Sequence, residues 1–162
     1  MGQTLVICKP DAVERGLVGE ILGRFERKGL AIAALEHRII ERSTAEQHYA
    51  EHAGKSFYAP LLDFITRSPS VIMVLDGPAD AGDEVFAVVR TLMGATNPAT
   101  AAPGTIRGDY GLSPTENLVH GSDSETSAQR EVALFFPALA QAAGTASNGA
   151  AGSTATISEA TS

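Results

Sequence analysis

The chain has 162 residues, of which 44% are hydrophobic and 19% charged, the size and composition of one soluble globular domain. Twelve basic and nineteen acidic residues give a net charge of −7, which argues against generic electrostatic binding to nucleic acid or to an anionic membrane. No apolar run approaches the roughly 18 residues of a membrane-spanning helix.

The first residues and the cysteine content favour a cytoplasmic protein. Lys9, Asp11 and Glu14 place charges too early in the chain for a secretory signal. The chain has one cysteine, Cys8, which cannot form an internal disulfide and suits a reducing compartment. We therefore expect a cytoplasmic protein that associates with no membrane.

Hydrophobic spacing predicts alternating strands and helices in the first half of the chain. The run Thr4–Cys8 is apolar and β-prone, and Pro10 ends it. Apolar residues recur at helical spacing from Val18 to Phe25, and Gly29 is placed to end that helix. The next predicted elements are a strand over Leu30–Ile40, whose alanines leave a helix open, and two short helices over Thr44–His52 and Ser56–Thr66.

The second half continues the alternation. The predicted elements are a buried strand over Val71–Leu75, an amphipathic helix over Val85–Met93, a short strand at Leu118-Val119 and a helix over Ser122–Phe136. Ser122 and Glu125 match a capping box at the start of the last helix. This order indicates an α/β or α+β sandwich with helices stacked on one sheet.

Two stretches depart from the alternation. The segment from Gly94 to Glu116 is rich in Gly, Pro, Thr and Asn, and loops of that length are usually functional or disordered. In residues 138–162, twenty of 25 residues are Ala, Gly, Ser or Thr. We predict a domain over residues 1–137 and a disordered tail over residues 138–162, which only Leu139 and Ile157 could anchor.

Several common catalytic motifs are missing from the sequence. It contains neither of the usual glycine-rich phosphate loops, no G-x-S-x-G nucleophile motif, and no Cys/His cluster with the sequence spacing of zinc ligands. Any site must therefore be assembled from other residues.

His120 lies between a predicted strand and a predicted helix, in Asn117-Leu118-Val119-His120-Gly121-Ser122-Asp123. A neutral imidazole can act as a nucleophile, Gly121 leaves space for a reacting group, and N–H groups at a helix start attract anions. Glu131 lies further along the helix and could orient the ring. The alternative is a histidine that is packed or lies on the surface, with no chemical role.

Three basic residues could form an anion site in this acidic chain. Arg107 lies between glycines in the long loop, and Arg90 lies near the end of the preceding helix. Arginine suits bidentate phosphate binding, although each of the two could instead pair with an acid on the surface. Lys9 follows a buried strand, where a cation needs a partner.

The aromatic and remaining histidine residues carry weaker signals. Phe57 could stack on a base if it is exposed, or pack in the core. His48, Tyr49 and His52 form a cluster that alone indicates little, and His37 fits a strand surface.

Together these stretches resemble the nucleoside diphosphate kinase family over about residues 4–137. The matching stretches are Lys9-Pro10-Asp11, Arg15-Gly16-Leu17-Val18-Gly19, His48-Tyr49, Met93-Gly94-Ala95-Thr96-Asn97-Pro98, Pro103-Gly104-Thr105-Ile106-Arg107-Gly108-Asp109 and Asn117-Leu118-Val119-His120-Gly121-Ser122-Asp123-Ser124. Several motifs in the family's order are more specific than any one of them. The resemblance implies a ferredoxin-like α/β (α+β) sandwich, with an antiparallel four-stranded sheet and helices packed on it.

The resemblance also implies a role for each residue. His120 would be the phosphorylated nucleophile and Glu131 its orienting carboxylate, with Ser122 and Tyr49 supporting the site. Phosphates would meet Lys9, Arg90, Thr96 and Arg107, with His52 near them in some members; the ribose would meet Lys9 and Asn117, and the base would stack on Phe57 without being read.

The mechanism that the resemblance implies is ping-pong. A nucleoside triphosphate, typically ATP, would phosphorylate His120, and a nucleoside diphosphate of any base would take the phosphoryl group. Mg²⁺ would bridge nucleotide phosphates and occupy no metal site of the protein itself. The expected assembly is a homo-oligomer, a hexamer or a tetramer.

The sequence departs from the family pattern at Ala12, in the turn over residues 67–70 and in residues 74–76, and none of these changes removes an implied catalytic group. Two other classes stay open on sequence grounds. One is a nucleotide-binding module that never forms a phosphoenzyme. The other is a nucleic-acid-binding protein, against which the net charge of −7 argues.

Overall fold

Four strands form one sheet in the computed structural model, which describes residues 2–81 and 84–149, the last three by their backbone alone. The strands are β1 (Gln3–Cys8), β2 (Ala31–Arg38), β3 (Ser70–Asp76) and β4 (Val119–Gly121). Their order is β2-β3-β1-β4, and each neighbouring pair is antiparallel. The predicted ferredoxin-like antiparallel sheet is confirmed.

Helices pack on both faces of the sheet because successive side chains of a strand point to opposite sides. In β1, Val6 and Cys8 belong to one hydrophobic core, and Leu5 and Ile7 belong to a second. The helices are α1 (Pro10–Glu14), α2 (Val18–Arg27), α3 (Arg42–His48), α4 (Tyr58–Thr66), α5 (Val85–Met93), α6 (Ile106–Tyr110), α7 (Glu125–Phe135) and α8 (Pro137–Gly149), with a 3₁₀ turn at Ala50–His52. In the part of the chain that the structure describes, no helix has the length and apolarity needed to cross a bilayer.

The helices predicted to begin at Thr44 and Ser56 begin at Arg42 and Tyr58, and two other helix starts differ in kind. Pro10 ends β1 as predicted, but it also begins α1, because a proline at the first helical position loses no hydrogen bond there. The last helix of the domain begins at Glu125, and its cap is Ser124, which accepts a hydrogen bond from the Ser127 N–H (3.1 Å). The predicted capping box at Ser122 is therefore wrong, and the Ser122 hydroxyl has other partners.

The long segment between α5 and β4 is ordered around the short helix α6. Thr105 caps α6 by accepting a hydrogen bond from the Gly108 N–H (3.0 Å). The Asp109 carboxylate accepts hydrogen bonds from the Gly104 N–H (2.8 Å) and from the Arg24 guanidinium of α2 (2.7 Å). The segment that the sequence marks as functional is thus fastened to the helical layer beside it.

The chain after Pro137 continues as α8, where the composition predicts disorder. A proline at the first position and a run of alanines both favour a helix, and Leu139 packs against the second core. The predicted anchor at Ile157 lies outside the described residues. The division of the chain at residue 137 stays a prediction.

We expect Gly108→Ala to lower the free energy of unfolding by about 1–3 kcal/mol, the usual cost of overpacking. A Cβ at position 108 would overlap the Ala102 carbonyl oxygen and lie 2.6 Å from its carbon, and backbone cannot yield as a flexible side chain can. The control is Gly19→Ala in α2, where a Cβ meets nothing within 4 Å. Because alanine favours a helix over glycine, we expect this control to raise the free energy of unfolding by about 0.5–1 kcal/mol. Equal effects of the two substitutions in urea denaturation would contradict the close packing of α6.

Candidate active site

Polar side chains from distant parts of the chain converge on one cleft of about 220 Å³. Nine of the eleven predicted site residues line it: Lys9, Tyr49, His52, Arg90, Thr96, Arg107, Asn117, His120 and Glu131. Of the other two, Ser122 is buried against Glu131, and the Phe57 ring lies beside the His52 ring. The topology therefore brings the predicted residues together.

A second cavity, of about 280 Å³, lies apart from these residues, between the first residues of the chain, α7 and α8. Its lining residues are Gly2, Gln3, Glu125, Ala128, Gln129, Val132, Ala140 and Ala143. This lining offers one carboxylate, with no histidine or cation among the described residues. The cleft around His120 and Glu131, by contrast, holds the groups that could perform chemistry.

The centre of the cleft is a hydrogen bond between a histidine and a buried carboxylate. His120 lies in β4 and pairs with Ile7 of the inner strand β1. Its Nε2 is 3.0 Å from Glu131 Oε2 of α7. The fully buried Ser122 hydroxyl donates to the same oxygen at 2.8 Å and accepts from the Leu5 N–H at 3.3 Å. Burial raises the pKa of Glu131, but several effects oppose it, the largest of which is the hydrogen bond with His120, and together they hold the pKa below its usual value.

An ionised Glu131 determines which nitrogen of His120 carries the ring proton. A carboxylate accepts hydrogen bonds, so we assign the ring proton to Nε2 and the free lone pair to Nδ1. Nδ1 makes no hydrogen bond with any residue that the structure describes, and the side chain is 23% exposed in the cleft. Such a ring can attack an electrophile while Glu131 balances the positive charge that develops.

A second imidazole packs against the first. The His48 ring contacts the His120 ring edge-on, with centroids 4.7 Å apart, and also touches Tyr49 and Phe135. Burial, and then the neighbouring His120, lower the pKa of His48 to about 3, so this ring is neutral at pH 7. Tyr49 is also buried, and burial together with Glu131 raises the pKa of its hydroxyl above the usual value.

Lys9 begins a chain of polar contacts along another wall of the cleft. Its Nζ donates to Asn117 Oδ1 (2.9 Å), and Asn117 Nδ2 donates to the Thr96 carbonyl oxygen (2.9 Å). Burial and the Arg107 charge lower the pKa of Lys9 to about 8, against the opposite effect of Asp11. Lys9 thus has the amide partner that a buried cation needs.

The Arg107 guanidinium supports the loop as well as lining the cleft. It donates to three backbone carbonyl oxygens, those of Gly94 (3.0 Å), Asn117 (3.2 Å) and Val119 (2.7 Å). Burial and then the Arg90 charge lower the pKa of Arg107 to about 10, still well above 7. Arg107 is therefore a structural cation whose charge also faces the cleft.

A strained turn leads into β4. Leu118 has φ 75°, a conformation rare outside glycine, and the Val119 N–H donates to the Asn117 carbonyl (2.9 Å), which closes a γ-turn. Asp11 Oδ2 accepts from the Leu118 N–H (3.0 Å), and the Lys9 N–H donates to the Leu118 carbonyl (2.8 Å). Leu118 is thus part of a turn, and the strand predicted at Leu118-Val119 is present as β4 but begins one residue later, at Val119.

The outer part of the cleft is aromatic. The exposed Phe57 ring (48%) lies 5.2 Å from the His52 ring, and the His52 ring lies 6.2 Å from the Tyr49 ring. An exposed ring beside a polar cleft offers a flat apolar surface for another ring.

Comparison with known proteins supports the family resemblance. Residues 2–140 match the family model described as nucleoside diphosphate kinase. The chain belongs to the nucleoside diphosphate kinase family. Proteins of that name from Nocardioides and from Archaeoglobus fulgidus are 58% and 57% identical over 137 and 136 residues, or 85% and 84% of this chain and 98% and 87% of theirs.

Solved nucleoside diphosphate kinase structures share the fold. The Babesia bovis family protein superposes with a TM-score of 0.79 at 42% identity, over 86% of this chain and 90% of that one. A halophilic nucleoside diphosphate kinase from Halobacterium salinarum, solved with CDP, has a TM-score of 0.77 at 48% identity, over 83% and 86% of the two chains. The predicted family, fold and enzyme class are confirmed, and the chain is a phosphotransferase.

Two residues of the candidate site had no role predicted from the sequence. His48 received no role because its position beside His120 depends on the packing of α3 against α7. Asp11 received none because its partner is a backbone N–H 107 positions away. Both lie within the stretches that resemble the family, and this resemblance is the one feature of the sequence that could have pointed to them. The roles of the individual residues in catalysis stay predictions.

We expect Arg107→Met to lower the free energy of unfolding of the nucleotide-free protein by about 2–4 kcal/mol, because it leaves three carbonyl oxygens without their charged donor. The control is Arg90→Met, which removes the same charge from an exposed position in the same cleft. Exposed substitutions usually stay within about 0.5 kcal/mol. If both variants unfold at the same denaturant concentration, Arg107 has no supporting role.

Proposed function

We propose that the chain transfers the γ-phosphoryl group of a nucleoside triphosphate, typically ATP, to a nucleoside diphosphate through a phosphohistidine at His120. The observation that carries the proposal is the 3.0 Å hydrogen bond from His120 Nε2 to Glu131 in a cleft lined by cations. The Nδ1 lone pair attacks the γ-phosphorus, and the bond from that phosphorus to the β–γ bridging oxygen breaks. The first nucleoside diphosphate leaves, and a second one takes the phosphoryl group by the reverse step.

Glu131 stabilises the charge that this reaction creates. When Nδ1 bonds to phosphorus and Nε2 keeps its proton, the ring becomes positive, and the adjacent carboxylate offsets this charge at no reorganisation cost. The Ser122 hydroxyl holds the carboxylate oxygen in place from the opposite side (2.8 Å). Tyr49 packs against His48 behind the reacting ring.

The remaining cleft residues suit a bound nucleotide. Phosphates would lie among Lys9, Arg90, Thr96, Arg107 and His52, the ribose near Lys9 and Asn117, and the base on Phe57. Three of the five N–H donors of Arg107 are used by carbonyl groups, so two are left for a phosphate. Stacking on the Phe57 ring involves no hydrogen bonds to the polar edge of the base, so it does not distinguish one base from another and supports broad base specificity. The CDP held by the Halobacterium salinarum relative supports a nucleoside diphosphate as a substrate.

Phosphoryl transfer in this family usually needs a divalent cation, and we propose Mg²⁺ bound through the nucleotide phosphates. Glu51 and Asp123 give the cleft the oxygen donors that Mg²⁺ and its waters prefer. Mg²⁺ would neutralise phosphate charge while the arginines and Lys9 hold the remaining oxygens.

We also propose that the chain is cytoplasmic and works as a homo-oligomer, a hexamer or a tetramer. The eight-residue strand β2 forms one edge of the sheet and is exposed along most of its length. Leu35 on this strand is 44% exposed and Ile39 just beyond it is 56% exposed. Such an edge is suited to pairing with another copy.

The test is incubation with γ-labelled ATP and Mg²⁺, followed by a chase with unlabelled GDP. We expect up to one label per chain, which the chase converts to labelled GTP. His120→Asn should take up no label while keeping its thermal unfolding temperature. A folded wild-type chain that binds ADP but takes up no label would instead be a binding module.

The same assay measures the contribution of Glu131. A hydrogen bond to a charged group is worth about 1.5–3 kcal/mol, so Glu131→Gln should slow phosphoenzyme formation by about 10–100-fold. Glu125→Gln removes the same charge from an exposed position of the same helix and is the matched control. Equal rates of phosphoenzyme formation in the two variants would show that the Glu131 carboxylate does not contribute to the reaction.

A further inference from the structure

His48 is a buried polar side chain without a hydrogen bond. It is 4% exposed at the end of α3, and both its ring nitrogens lack a partner among the residues that the structure describes. Buried polar atoms are usually satisfied, and an exception calls for an explanation. A neutral imidazole with a free lone pair at the wall of a cleft is a ready ligand for a metal ion.

His48 shares this wall with two more potential ligands. One donor atom each from His48, His120 and Glu131 lie within 4.8 Å of one another. The donors come from α3, β4 and α7, so no spacing in the sequence reveals them. Two imidazoles and one carboxylate, with an open position toward a cleft, form the ligand set of many zinc sites.

The distances fit such an ion after a small movement. Ligands about 2.0 Å from a tetrahedral ion lie about 3.3 Å apart, and His120 Nε2 and Glu131 Oε2 are already 3.0 Å apart. The third donor must approach by up to about 1.5 Å, which a ring held by packing and no hydrogen bond can do. Water from the cleft would fill the fourth position.

We propose that His48, His120 and Glu131 form a site for a divalent transition-metal ion of the Zn²⁺ type, and that occupancy of this site switches off phosphoryl transfer. The second half rests on the proposed function. Mg²⁺ does not compete for the site, because it prefers six oxygen ligands to two imidazoles.

Inhibition follows from the proton balance of the His120 ring. A neutral imidazole carries one proton, which Glu131 holds on Nε2 in the free enzyme. When Zn²⁺ binds Nε2, the proton moves to Nδ1, so the lone pair that would attack phosphorus is consumed. The Nε2–H bond breaks and an Nδ1–H bond forms, so the ring keeps one proton, and removal of the metal reverses the exchange and restores the nucleophile.

Cations near the site oppose the ion, Lys9 and Arg130 among them, and Arg130 lies beside one of the ligands. An Arg130 guanidinium nitrogen lies 3.9 Å from Glu131 Oε1, on a side chain that is half exposed. Removing this charge should strengthen metal binding. The proposal therefore predicts one substitution that raises the affinity for the metal, at Arg130, and one that lowers it, at His48.

The binding test uses the full metal-free chain without nucleotide. Titration with ZnCl2 in a calorimeter should show one equivalent per chain, and CoCl2 should give the visible absorption bands of four-coordinate Co²⁺. His48→Phe keeps an aromatic ring in the packing and should weaken Zn²⁺ binding at least tenfold, whereas His37→Phe on the exposed side of β2 should bind as the wild type does. Arg130→Gln should bind more tightly.

The proposal is overturned if the wild type binds no Zn²⁺, or if His48→Phe binds it as well as His37→Phe does. Should His48→Phe fail to fold, ¹⁵N spectra of the wild-type histidine rings decide the matter. Zn²⁺ must then shift the nitrogens of His48 and His120 and leave those of His37 unchanged.

The activity test is separate from the binding test. Protein loaded with one equivalent of Zn²⁺ and desalted should form at least tenfold less phosphoenzyme from labelled ATP, and EDTA followed by Mg²⁺ should restore it. Full labelling of the loaded protein would contradict the switch. If the metal-free protein takes up no label either, the proposed function fails, while the titrations still decide whether the metal site exists.

Discussion

The candidate site depends on the burial of one carboxylate. Glu131 is 3% exposed, and a buried charge needs partners that satisfy it. His120 and Ser122 are those partners, and both reach the same oxygen because β4 lies beside the central strand and α7 crosses the sheet directly after it. The need to satisfy Glu131 orients the ring of His120, and this orientation leaves Nδ1 without a hydrogen bond to the described residues, available for the proposed reaction.

The groups that would hold phosphate also hold the protein together. Arg107 binds three carbonyl groups, Lys9 binds Asn117, and Asp11 holds the strained turn at Leu118. Strain of this kind persists only where the surroundings over-determine it. Cations kept in place by hydrogen bonds within the protein need little reorganisation when a nucleotide arrives, which favours catalysis by positioning and charge.

Much of this arrangement could be predicted from the sequence, for reasons that differ between elements. The limits of β1 and β3 and the end of α5 are set by local sequence: two apolar runs and the glycine after α5. The sequence alone was therefore enough to locate them. The turn at Leu118 and the cap at Ser124 could not be predicted, because each depends on which nearby group accepts a hydrogen bond. His48 was assigned no role for a similar reason, because its importance depends on contact with His120, which lies 72 positions away in the chain.

The most direct measurement is the position of the phosphoryl group on the ring of His120. The phosphoenzyme, prepared from ATP and a chain with ¹⁵N-labelled histidine, can be examined by ³¹P and ¹⁵N NMR at alkaline pH. We expect phosphorus on Nδ1, with Nε2 still protonated and hydrogen-bonded to Glu131. Phosphorus on Nε2, or on another residue, would contradict the assignment of the nucleophile and the role of Glu131 with it.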